Sequence, residues 1–290
     1  MAVIRGLFVY PVKSCGAIAL DRAKLDTQGL SWDRHWMVVD ATGRFVSQRE
    51  YAAMARIVPA FVEDGVRLTM DGIDAPLLLP FQPRGDEARV SVTVWKDTFD
   101  ALDEGDQAAH WFTRALGVPV RLVRFAQDVT RLASKKWTLD EDVPTQFADG
   151  YPILVTSESS LAELNERLAA KGASPVPMSR FRPNIVVADA GEAFEEDFID
   201  TLSIEGDAGH DEVVLRFVKP CSRCPITTID QQTGKHDAQW PSEPLDTLQT
   251  FRADARVEGG LTFGQNAIVV SGAGRQLAVG AQAQWEYRFE

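Results

Sequence analysis

Short runs of strand-forming residues, each closed by a turn signal, succeed one another through residues 1–125 and point to a barrel or curved sheet. Val3 to Tyr10 is a mostly apolar run that stops at Pro11, and Trp36 to Asp40 is another, closed by Ala41-Thr42-Gly43-Arg44. Val66 to Met70 runs into Asp71-Gly72, a hairpin signal. Val90, Val92 and Val94 alternate with Ser91, Thr93 and Trp95, the period of two that puts every second side chain on one face. One helix interrupts the pattern: Asp106 is placed as its cap, Ala109, Trp111, Phe112 and Leu116 as its buried face, and Gly117 and Pro119 as its stop. The polar stretch Ala126 to Gly150 has no period. It is expected to be a boundary or mobile loop, dividing an N-terminal domain at 1–125 from a second at 126–290.

The second half reads as mixed, so the fold class expected overall is β-rich α+β. Pro152 to Thr156 is a short buried strand. Ser160 and Glu163 suggest a capping box, ahead of a helix whose apolar face is Leu161, Leu164 and Leu168 and whose end is Gly172. Strands are expected at Asn184 to Ala188, Glu212 to Val218, Ile226 to Ile229, Ala267 to Val270 and Ala283 to Phe289, with a short helix near Leu245 to Ala253. Trp36, Trp95 and Trp111 are read as core packing.

A net charge of −12 argues against broad nucleic-acid binding, which needs a basic footprint, but leaves room for a local basic pocket. No run reaches the roughly 18 apolar residues of a membrane helix. The opening residues lack the pattern of a secretion signal, so a soluble cytoplasmic protein without membrane partners is expected.

The cysteines are Cys15, Cys221 and Cys224, too few for a disulfide framework. Cys221-Ser222-Arg223-Cys224 on its own admits three readings. A redox dithiol needs a helix after the motif, and Pro225-Ile226-Thr227-Thr228-Ile229 is a poor helix former. Zinc needs four ligands, and Cys15, Cys221 and Cys224 with His210 or His236 make such a set without its usual spacing. Free cysteines are also often buried and inert, the role expected of Cys15.

Further motifs decide the matter. Pro11-Val12-Lys13-Ser14-Cys15, Asp33-Arg34-His35-Trp36, Phe147-Ala148-Asp149-Gly150-Tyr151-Pro152, Thr156-Ser157-Glu158-Ser159-Ser160-Leu161, Phe181-Arg182-Pro183-Asn184 and Phe263-Gly264-Gln265-Asn266 occur in this order around the cysteine segment. Together they resemble the MOSC proteins, and most closely the branch that includes the mitochondrial amidoxime-reducing component and its bacterial relatives. The resemblance covers nearly the whole chain. It implies an N-terminal MOSC-associated β-barrel domain followed by a MOSC β-barrel domain with peripheral helices.

It also implies a molybdenum cofactor whose metal is ligated by Cys224, the catalytic centre. The pterin and its phosphate would be held by Lys13, Ser14, Arg34, Thr156, Ser157 and Arg182, with Ser222, Arg223 and Asn266 beside them. A soft thiolate suits molybdenum, and arginine and lysine suit a phosphate. Helix-leading amides at Ser157 are a further possible anion site, although capping is the commoner use of such a serine. The activity implied is two-electron reduction of N-hydroxylated compounds (amidoximes, hydroxylamines, N-hydroxylated bases), releasing the reduced nitrogen compound and water. Asp149 and His35 are the candidate proton donors. With no spare cysteines for an intrinsic iron–sulfur cluster, electrons are expected from a separate ferredoxin, flavoprotein or cytochrome-type partner. The alternative is a cofactor carrier or sulfur-handling module without turnover. Pyridoxal phosphate is not expected, because the chain has no room for the desulfurase domain that some relatives carry.

Overall fold

The strand Ala2–Val9 buries Ala2, Ile4, Leu7 and Val9, and its inward phase slips by one residue at a bulge between Ile4 and Gly6. In the computed structural model, which describes residues 2–189, 191–206 and 212–288, this strand belongs to a closed seven-stranded barrel. Around the ring the order is Ile153–Ser157, Ile185–Ala188, Ala2–Val9, Gln282–Tyr287, Ile199–Glu205, Glu212–Ser222 and Gly260–Ser271, which pairs back to Ile153–Ser157. Only the first pair is parallel; the helix Glu158–Ala170 supplies part of the crossover that parallel pairing demands. Ile4, Leu7, Val155, Val187, Leu202, Leu215 and Phe217 fill the interior, each contributing about 1.5–3 kcal/mol through burial.

The remaining N-terminal residues form a four-stranded antiparallel sheet, ordered Trp36–Val39, Arg121–Phe125, Asp97–Asp103 and Arg89–Val94. Beside it stands a three-stranded sheet of Val58–Val62, Gly65–Thr69 and Leu77–Pro80. Its tight turn is Glu63-Asp64, with Val62 paired to Gly65, while Asp71-Gly72 falls in the longer return to Leu77. The helix Asp106–Leu116 packs Ala108, Trp111 and Phe112 into the core shared with the second sheet. Between the layers lies a buried polar knot. Glu104 accepts from Arg124 Nε at 2.7 Å and from Trp36 Nε1 at 2.6 Å, and Arg124 also donates to the carbonyls of Pro80 and Phe81.

Three local expectations change. Gly105, with φ of 87°, occupies the cap ahead of Asp106; the Asp103 carboxylate accepts its N–H at 2.7 Å, and Asp106 pairs with Arg121 instead. Ser157, not Ser160, caps the second helix, accepting from the N–H of Ser159. Ser160 is buried inside that helix, where its hydroxyl donates to Glu196 and accepts from the N–H of Phe194. Pro225–Thr228 is a single 3-10 turn rather than a strand, because Thr227 and Thr228 turn their hydroxyls back to the carbonyls of Cys224 and Pro225.

The stretch from Ala126 to Gly150 is tied down rather than loose. Arg131–Leu132 pairs with Pro144–Thr145, Phe147 is fully buried, and Arg131 donates to the carbonyls of Gln146, Ala148 and Asp149. Of the expected C-terminal strand, Phe289 lies outside the described residues. Among the described residues no helix is long and apolar enough to cross a membrane.

Candidate functional site

The strand Glu212–Ser222 loses its regular register with Gly260–Ser271 at Phe217/Lys219 and again at Pro220/Ser222, where Pro220 has no N–H to donate. Its irregular end carries Cys221 and Cys224 to the wall of a cavity of about 120 Å³ between the barrel and the N-terminal sheets. The N-terminal part contributes Lys13, Ser14, Arg34, Phe45, Ser47 and Arg49, and the remainder comes from Ala148 onward. Lys13, Ser14, Arg34, Arg182, Arg223, Cys224 and Asn266 are thus brought together in one wall.

Three of them hold backbone conformations that L-residues avoid: φ is 68° at Ser14, 48° at Arg34 and 55° at Arg182. Each costs on the order of 1–3 kcal/mol, the kind of strain that collects where a site demands it. Ser14 passes its carbonyl to Gln48 Nε2 at 2.7 Å, and Gln48 in turn meets Gln231. Arg34 is braced by Asp33, by Asn184 Oδ1 at 3.2 Å and by the carbonyl of Arg182 at 3.3 Å. Its guanidinium lies 4.3 Å from the Tyr10 ring, and that of Arg182 lies 4.2 Å from the same ring. Besides that ring, Arg182 donates to the neutral amide of Gln231, and burial pushes its pKa down to about 10. Asn266 donates to the carbonyl of Lys219, fixing the strand above the cysteines.

The lining carries five cationic side chains (Lys13, Arg34, Arg49, Arg182, Arg223) against one carboxylate, Asp149. Lys13 Nζ meets Asp149 Oδ1 at 2.6 Å and the carbonyl of Phe147 at 2.8 Å. Burial lowers the Lys13 pKa, partly offset by Asp149. Desolvation likewise disfavours the Asp149 charge, but Lys13 outweighs it and holds the carboxyl well below the usual carboxylate range. Asp149 is therefore ionised and accepts hydrogen bonds from Lys13 and Trp95 rather than carrying a proton to donate.

Cys224 is half-buried, with Arg49 Nη2 at 3.5 Å from its sulfur. Cys221 accepts instead from Arg223 Nη1 at 2.9 Å, and Arg223 Nη2 donates to the carbonyl of Phe181. The Arg223 Nε is buried without a partner among the described residues. Cys15 is fully buried and its thiol is pushed up to about 12, which agrees with a structural role. Among the described residues no three His, Cys, Asp or Glu side chains are grouped to hold a metal by themselves. His236 bonds the Thr228 hydroxyl, and His210 lies outside the described residues.

Thr156, Ser157 and Ser222 are not in the cavity wall. Leu154 reaches the wall, whereas Thr156, two residues on, is buried with its hydroxyl 3.3 Å from the Met178 sulfur and its methyl against Gly264. Ser157 is spent on the helix cap, its commoner use, and exposed Ser222 packs against Gly260.

His35 is also elsewhere. It faces a separate cavity of about 550 Å³ with Trp32, Phe125 and Gln146, while its Nδ1 lies 2.9 Å from Gln146 Oε1. Burial lowers its pKa to about 4, so the folded protein keeps it neutral. Because the folded value lies below the ordinary 6.5, His35 favours folding above pH 6.5, and that contribution is lost as pH falls from 6.5 towards 4. Thermal melts across this range should show that the acid-side loss of stability flattens in His35→Gln; an unchanged slope would remove His35 as its source.

Arg49 and Trp95 were not foreseen. Arg49 lies in a polar run without a motif, and Trp95 reads as one more core aromatic at the end of an alternating strand. In the structure Trp95 is 50% exposed, and its Nε1 donates to Asp149 at 3.2 Å. A large aromatic in the two-residue turn Trp95-Lys96 was the available signal.

Comparison with known proteins supports this architecture. Residues 1–119 match the family model described as the MOSC N-terminal beta barrel domain, and residues 142–283 match that of the MOSC domain. Mitochondrial amidoxime reducing component 2 of Bos taurus is 33% identical over 259 residues, covering 87% of this chain and 73% of the relative. Mitochondrial amidoxime-reducing component 1 of Xenopus laevis is 34% identical over 265 residues, covering 87% and 72%. Molybdenum cofactor sulfurase of Bos taurus is 32% identical over 253 residues, which are 81% of this chain but 27% of that protein.

Proposed function

Because the chain belongs to the MOSC family, with its N-terminal barrel part and its MOSC part, we propose that it is a molybdenum-cofactor oxidoreductase acting on N-hydroxylated compounds. The observation that carries this reading is the cavity's charge. Five cations face one carboxylate in a chain of net charge −12, beside a thiol within reach of an arginine. A surplus of desolvated cations with an orphaned Arg223 N–H suits a multiply charged anion, and a thiolate suits a soft metal.

Cys224 is the metal ligand in this proposal. Lys13, Ser14, Arg34, Arg182, Arg223 and Asn266 bind the pterin and its phosphate, whereas Thr156, Ser157 and Ser222 shape the strand ends around them. When bound, the cofactor supplies the two-electron redox chemistry. Overall, an N-hydroxyl compound takes up two electrons and two protons and yields the N–H compound and water. Lys13 Nζ, its charge disfavoured by burial, holds a proton 2.6 Å from Asp149 Oδ1 and is the chain's own proton store at the wall. Electrons come from a separate ferredoxin, flavoprotein or cytochrome-type donor, in a cytoplasmic setting.

The likeness to the sulfurase favours a second reading, a cofactor carrier or sulfur-handling module. Turnover separates the two. Protein loaded in a cofactor-competent host should convert benzamidoxime to benzamidine with a reduced viologen dye, in proportion to its molybdenum content. Full loading without any product would favour the carrier.

A further inference from the structure

At the mouth of the cavity the Arg49 guanidinium lies 4.7 Å from the Trp95 ring centroid, with Asp149 hydrogen-bonded to the indole and Cys224 beyond. Trp95 is a costly residue for its position. It opens the two-residue link Trp95-Lys96 between Arg89–Val94 and Asp97–Asp103, at φ of 57°, where asparagine or glycine is the ordinary occupant. Half of it is exposed, and among the described residues its one aromatic neighbour is Phe45 at 5.0 Å. Neither turn geometry nor core packing asks for an indole there.

Arg49 is loosely held. It stacks on the Trp95 face, meets the Cys224 sulfur and is drawn towards the Asp149 charge, although among the described residues no carboxylate lies within ion-pair distance of it. The cavity it narrows measures about 120 Å³, well under the roughly 300 Å³ at which small-molecule sites begin.

We propose that Trp95 and Asp149 form a subsite for a flat amidine-type group, and that Arg49 is its internal occupant until substrate displaces it. A guanidinium and an amidine share a planar N–C–N unit. A ligand of that shape stacked on Trp95 reproduces the ring contact that Arg49 makes and turns its N–H groups towards the ionised Asp149. Its far end then lies where Arg49 Nη2 now lies, beside the Cys224 sulfur. Trp95 and Asp149 are specificity residues in this scheme, and Arg49 is a competitor that keeps the subsite closed to ill-fitting molecules. The inference rests on the N-reduction reading for the class of its ligand, but its binding test does not pass through turnover.

Benzamidine binding to the full chain, with and without cofactor, is measured by calorimetry. Removing the competitor in Arg49→Ala should tighten binding about tenfold, because an occluded site lowers apparent affinity by its open fraction. Trp95→Leu should weaken binding by roughly tenfold, while Trp95→Phe, which keeps a ring face, retains most of it. Thermal melts confirm that each variant is folded; if Trp95→Leu is not, the Arg49→Ala and Asp149→Asn results decide. Equal affinities in wild type, Arg49→Ala and Asp149→Asn overturn the subsite even if benzamidoxime is reduced. The expected affinities without any benzamidoxime reduction would sustain the subsite and count against the oxidoreductase reading.

Discussion

Protein carrying Cys224→Ala is expected to leave a cofactor-competent host folded but without molybdenum, and to lose N-reduction by well over the roughly 10–100-fold seen when a residue merely supporting a metal ligand is removed. Cys221→Ser should keep most of its metal and lose less than about tenfold, since Cys221 is turned to Arg223 rather than to Arg49. Elemental mass spectrometry for molybdenum, with fluorescence of the oxidised pterin, checks both variants. The contrast is informative because a redox dithiol would depend equally on the two sulfurs. A Cys224→Ala protein that retained metal and turnover would sink the ligand assignment, whatever the state of the rest of the cavity.

The largest effect on stability is expected at Glu104. Its carboxylate is almost entirely buried, paired with the equally buried Arg124 and bonded to Trp36. Glu104→Ala leaves an uncompensated guanidinium inside the protein and should cost about 3–5 kcal/mol. In a chain of this size that lowers the melting midpoint by on the order of 10 °C. Glu104→Gln keeps an acceptor but leaves the guanidinium without a counter-charge, so it should recover only the hydrogen-bond part of the loss. Removing both charges together, as Glu104→Leu with Arg124→Met, should recover much of the loss, because what hurts is the orphaned charge and not the absence of the pair. If the double variant melts as low as Glu104→Ala, the knot stabilises by packing and not by charge neutralisation.

The periodic parts of the chain were legible because burial enforces period. Val90 to Val94 and the face of Asp106–Leu116 announce themselves in the sequence. The barrel's closure does not, since nothing in Val3 to Tyr10 says that its neighbours are residues 185–188 and 282–283. Pairing at that separation is carried by shape complementarity and not by any local signal. Caps were misplaced by one to three residues for a similar reason: Asp106 and Ser160 have the right chemistry, but Gly105 and Ser157 have the right backbone. At the site, residues embedded in short motifs were found from those motifs. Arg49, which meets Cys224 across 175 positions, and Trp95, which meets Asp149 across 54, have no motif to betray them. Thr156 and Ser157, named from a motif, lie outside the cavity wall, with the Thr156 hydroxyl beside the Met178 sulfur and Ser157 at the helix cap.

Strand Ala2–Val9 sits between Ile185–Ala188 and Gln282–Tyr287, so its two edges stay open until strands far later in the chain have been made. Until then it is a free apolar edge, the sort of surface that chaperones cover and that aggregates otherwise. Contacts this distant along the chain also make for slow folding. The cavity wall, drawn from residues 13 through 266, is likewise assembled from distant parts of the chain, so a ligand meets its full set of partners only once those parts have come together.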